Sequence, residues 1–72
     1  MTEWNNLPPH FKSVFPTDVP YPFQVLISAG WDKLNEVERE EWFQKLRKQE
    51  IMTRLKTAID DAFRIIHPDP NN

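Results

Sequence analysis

The chain of 72 residues contains no cysteine, one glycine and two histidines, and no proline lies between Phe23 and His67. Each shortage excludes something. Without cysteine there are no disulfides and no thiolate metal ligands to staple a small fold. Nothing then marks an oxidising compartment, and a cytoplasmic location is the default. A single glycine, Gly30, makes no phosphate loop. His10 and His67 stand beside prolines with no second ligand at metal-binding spacing, so no metal or cofactor is expected. No apolar run approaches the roughly 20 residues that cross a bilayer. The N-terminus lacks a basic stretch followed by an apolar one, the mark of a signal peptide. The net charge of −2 decides little about nucleic acid.

The chemistry of catalysis is equally scarce. Asp60 and Asp61 are neighbours, so on a helix they diverge by about 100° and cannot share a site as an acid/base pair. A solvated helix face is their expected role. Ser13 and Ser28 have no base in a recognisable motif. A chain this short rarely builds a water-excluding pocket. The expectation is a protein that is not an enzyme.

What is present divides by proline. Pro8, Pro9, Pro16, Pro20 and Pro22 crowd the N-terminal third, which predicts an extended or turn-like arm over residues 1–21 rather than a helix. Trp4, Leu7, Phe11, Val14, Phe15, Val19, Tyr21 and Phe23 are interleaved with them, and disordered segments are poor in aromatics. The arm reads as a strap laid over a helical surface. No PxxP spacing occurs, which argues against a polyproline ligand.

A short helix is predicted over about 22–29. Pro20 or Pro22 fits a first turn, and Phe23, Leu26 and Ile27 share a face. Gly30 stands where a left-handed residue ends a helix. A strand is the competing assignment, because Phe23, Val25 and Ile27 alternate.

The dominant stretch is 36–66, within a helical region 22–66, and it is predicted as one long helix. Asn35 and Glu38 have the spacing of a capping box, and acidic residues crowd the first turns. Glu41 with Lys45, Glu50 with Arg54 and Asp60 with Arg64 are i,i+4 pairs in the favourable order. Pro68 stops the pattern, and 67–72 reads as a frayed tail.

This helix carries two apolar faces. Met52, Leu55, Ile59, Ala62 and Ile66 form a stripe widened by Ile51, Ala58 and Phe63, while Trp42, Phe43 and Leu46 lie about half a turn away. A continuous rod of roughly 46 Å would overhang a globule of roughly 30 Å diameter. Either the C-terminal stripe is buried against another chain, or the helix breaks near Lys48–Glu50 and folds back, although no glycine or proline marks a break.

These observations predict an all-α fold for a single domain, 1–72: an irregular aromatic arm, a short helix and a long C-terminal helix. The expected function is a protein-interaction module, a regulator, adaptor or assembly factor. Its partner-binding surface is Ile51, Met52, Leu55, Ile59, Phe63 and Ile66, and the partner is a second copy or a larger complex. The alternative is a small nucleic-acid-binding regulator using Arg39, Lys45, Arg47, Lys48 and Arg54 as phosphate contacts. Those cations point to different sides of a helix and are flanked by glutamates, so nucleic acid is the less favoured partner.

Overall fold

A computed structural model of the chain describes residues 1–69. A 3-10 turn at Trp4–Asn6 is followed by α1 (Pro9–Lys12), α2 (Tyr21–Lys33), α3 (Glu36–Arg47) and α4 (Ile51–Ile66), with no strand among the described residues. The all-α class therefore holds, and α2 is a helix rather than a strand. The end of the predicted tail, 70–72, lies outside the described residues.

The arm is less extended than its prolines suggest. Pro9 opens α1, where a missing N–H is harmless, and Pro22 stands in the first turn of α2. The arm contributes Leu7, Phe11, Val14, Phe15 and Val19 to the core. Phe11 is fully buried, its ring centroid 4.4 Å from Trp31, 5.3 Å from Trp42 and 5.4 Å from Phe15. These separations are those of favourable tilted and edge-to-face aromatic pairs. The strap is thus a wall of the core.

Helix α2 runs a turn further than 22–29, because Gly30 does not terminate it. No described glycine has positive φ. Gly30 is a spacer between helices: a Cβ placed there would lie 3.0 Å from Ala62 Cβ and 3.1 Å from Ala62 Cα. The small pair lets α2 and α4 approach closely. Helix α2 instead ends at Leu34, whose extended backbone leads to Asn35. There the predicted capping box forms. The Glu38 N–H donates to Asn35 Oδ1 at 2.9 Å, and the Asn35 N–H donates to Glu38 Oε1 at 3.0 Å.

The predicted single helix 36–66 is two helices. Glu50 leaves the helical region, with ψ 144°, and starts α4 without a side-chain cap. The break brings the two apolar faces, half a turn apart in sequence, into one core: Trp42 and Leu46 from α3, Ala58 and Ala62 from α4. Burial of these faces supplies the driving force that glycine or proline would otherwise provide. Side chains then serve the exposed junction carbonyls. Arg54 donates to Gln49 O at 2.8 Å, Arg47 O at 2.9 Å and Val14 O at 3.3 Å. The Thr57 hydroxyl donates to Gln49 Oε1 at 2.7 Å. Three predicted i,i+4 pairs give way to this arrangement: Lys45 reaches Asp61, Arg54 takes carbonyls, and Asp60 accepts Lys56 at 3.2 Å. With the rod folded, the chain extends 35 Å in its longest direction and has a radius of gyration of 11.5 Å.

The Gly30–Ala62 contact yields a reciprocal test. Gly30→Ala gains about 1 kcal/mol of helix propensity but forces apart two packed helices, at about 1–3 kcal/mol. A net loss is expected in urea denaturation. Ala62→Gly in the same chain should relieve the clash, so the double variant should lose less than the sum of the two single changes. Additive losses would show that the contact is not what keeps Gly30 small.

Candidate functional site

The predicted apolar stripe of α4 is split by the fold. Ala58 and Ala62 are buried, and Leu55 and Ile65 pack against the core beside them. On a helical wheel, Met52, Ile59, Phe63 and Ile66 lie on the adjoining flank, roughly 80–140° round from Ala58. Met52 is 88 % exposed and Phe63 57 %, while Ile59 and Ile66 are half-buried. Ile51, at the start of the helix, is 50 % exposed. Of the six residues expected to meet a partner, Leu55 is thus partly committed to the core. Met52, Ile59, Phe63 and Ile66 form an apolar flank along α4, Ile51 stands at the helix start on the side of Ala58, and the Phe63 ring lies 5.1 Å from that of His67. Met52, Ile59 and Ile66 recur at seven-residue intervals, the spacing of a helix-pairing seam.

The predicted cations are dispersed into different roles. The Arg39 guanidinium lies 4.8 Å over the Trp31 ring, and its Nε donates to Trp31 O at 3.0 Å. Lys45 pairs with Asp61 at 2.8 Å. Arg54 holds the α3–α4 junction. Arg47 and Lys48 remain on open surface, Arg47 with a 3.4 Å bond to Gln44 Oε1. The five do not share one face.

Asp61 corrects the expectation of a solvated helix face. It is 9 % exposed and accepts from Trp42 Nε1 at 3.0 Å and from Lys45 Nζ at 2.8 and 2.9 Å. The carboxylate is therefore satisfied on both sides, by an indole N–H from the core and an ammonium from the rim, as a buried charge requires. Its position three residues after Ala58 and one before Ala62 was the available signal. A residue so placed on a helix borders the face those alanines bury. Asp60, next to it, stays outside and pairs with Lys56.

Two of the surface hollows adjoin residues already described. One of about 360 Å³ lies between the arm and α2, with Trp4, Tyr21, Gln24, Val25 and Ser28 in its wall. The Ser28 hydroxyl is buried and has no hydrogen-bond partner among the described residues. The other, of about 440 Å³, lies at the α3–α4 junction. Among the described residues no group of three His, Cys, Asp or Glu side chains could hold a metal ion. No described helix is long and apolar enough to cross a membrane. Comparison of the chain with protein families, with curated proteins and with solved structures returns no match.

The Asp61 cluster can be tested directly. Asp61→Ala strands the Trp42 indole N–H and should destabilise the fold by about 1–3 kcal/mol. Asp61→Asn keeps an acceptor of the same shape and should lose less. Equal denaturation midpoints for the wild-type and Ala chains would show that the cluster contributes nothing.

Proposed function

We propose that this chain is a non-enzymatic protein-interaction module, an adaptor, regulator or assembly factor, whose working surface is the outer flank of α4. The observation that carries this assignment is the apolar flank of Met52, Ile59, Phe63 and Ile66, with Ile51 at its end, left over once the core is filled. Covering a large apolar side chain is worth roughly 1.5–3 kcal/mol. A strip that leaves Met52 and Phe63 exposed, with Ile59 and Ile66 half-buried between and beside them, therefore favours association.

A second copy of the chain is the partner this flank fits best. The strip is nearly palindromic about Ile59. Two α4 helices laid antiparallel with Ile59 at the dyad set Met52 against Ile66 and Leu55 against Phe63 of the other copy. Such self-complementarity is what a two-fold interface requires. The Lys56–Asp60 pair lies along one edge of the strip. In this arrangement Lys56 of each copy falls near Asp60 of the other, so opposite charges meet along that edge. A nucleic-acid regulator has less support, because Arg39, Lys45 and Arg54 already serve the fold.

The absence of cysteine makes the test clean. Mass should rise with concentration in light scattering, and Phe63→Glu should abolish the rise while leaving the melting temperature within a few degrees. Mixed Met52→Cys and Ile66→Cys chains should cross-link under mild oxidation faster than either alone. Rapid self-linking of Met52→Cys would mean a parallel pair. A wild-type chain that stays monomeric at millimolar concentration would remove self-association.

A further inference from the structure

The hollow at the α3–α4 junction has a chemistry that the α4 flank does not use. It is lined by Ser13, Val14, Phe43, Arg47, Lys48 and Arg54. Three of these six are cations, none is acidic, and none of the three cations is within salt-bridge distance of a described carboxylate. The chain as a whole is acidic, with net charge −2. Glutamates crowd the start of α3, at Glu36, Glu38, Glu40 and Glu41 with Arg39 among them, while Arg47 and Lys48 stand at its end, with Glu50 the nearest carboxylate in sequence.

We infer that this hollow binds the phosphates of a small organic phosphate, of which a nucleoside diphosphate is the fitting class. Arg54 is half-buried and fixed by three backbone carbonyls. A guanidinium has five N–H donors, so donors remain for a ligand on a cation already held in place. Those same three bonds answer the main objection to an anion here. The C-terminal end of α3 carries partial negative charge. The carbonyls of Arg47 and Gln49, which would repel a phosphate, already face Arg54. Arg47 and Lys48 stand on the exposed side and are free to close on a ligand. The depression, of about 440 Å³ and open to solvent, is wide enough for a phosphate and part of the group it is attached to. Phe43, half-buried, supplies an apolar wall for the organic part.

The test is an amide-resolved NMR titration of the full chain at fixed ionic strength, with ADP in one arm, pyrophosphate in a second and sulfate as control. Saturable shifts should centre on Ser13, Val14, Phe43, Arg47 and Lys48 with ADP. Weaker binding of pyrophosphate would assign part of the affinity to the apolar wall, and equal binding would assign it all to the phosphates. The double variant Arg47→Gln/Lys48→Gln should weaken ADP about tenfold or more. Both side chains are exposed, so its melting temperature should match the wild type. Shifts that grow without saturation and match those of sulfate would overturn the site as mere screening. So would an undiminished ADP affinity in the double variant. Preferential, steeply salt-dependent binding of a short single-stranded oligonucleotide would replace it with a nucleic-acid surface.

Discussion

Trp42 reaches every other helix of this molecule, α1, α2 and α4. It projects from α3 and stacks at 5.3 Å on Phe11 of the arm. It stands within 3.6 Å of where a Cβ on Gly30 of α2 would be, and its indole N–H donates to Asp61 of α4 at 3.0 Å. One side chain thus ties four segments. The arrangement requires α4 to return alongside α3. That requirement, rather than any helix-breaking residue, is what divides the stretch 36–66. A helix that stayed straight would leave Trp42 and Ala62 on opposite sides of the rod.

The same constraint decides what stays outside. Because α2 meets α4 across Gly30 and Ala62, the small-residue face of α4 lies at the centre of the contact, with Leu55 and Ile65 packed beside it. A contact between larger residues would hold the helices further apart and leave room for the neighbouring flank to turn in. Close approach through glycine and alanine does the opposite. It shuts the core early and leaves Met52 and Phe63 in water. The proposed interaction surface is therefore a consequence of how the core closes. It is narrower than the whole apolar stripe, since Leu55 belongs partly to the interior.

Charge follows a parallel logic. Glutamates at the start of α3 and cations at its end both complement the helix dipole, which by itself needs no ligand. Folding changes the meaning of the second group. Once α4 turns back, Arg54 joins Arg47 and Lys48 from the next helix, and Ser13 and Val14 of the arm close the hollow. Lys45, one turn earlier, is drawn off by Asp61. A run of basic residues with little coherence along a single helix becomes a cluster of three beside an apolar wall.

Local features of this fold were legible in the residues because they depend on near neighbours. The capping box at Asn35 and Glu38, a helix start near Pro20 or Pro22, the stop before Pro68 and the two opposed apolar faces all follow from propensity and helical spacing. So does the all-α class. The short α1 at Pro9, by contrast, stands where the prolines predict an extended arm. The candidate surface was legible in outline, as a stripe on the second half of the helix. Long-range packing decided the rest. Gly30 reads as a terminator until Ala62 is seen against it, and Asp61 reads as solvated until Trp42 reaches it. The break at Lys48–Glu50 carries no local mark, because its cause is the burial of two faces in one core. Nearest-neighbour chemistry chose the helices; which faces they hide, and which they leave for a partner, was chosen by contacts between residues far apart in the chain.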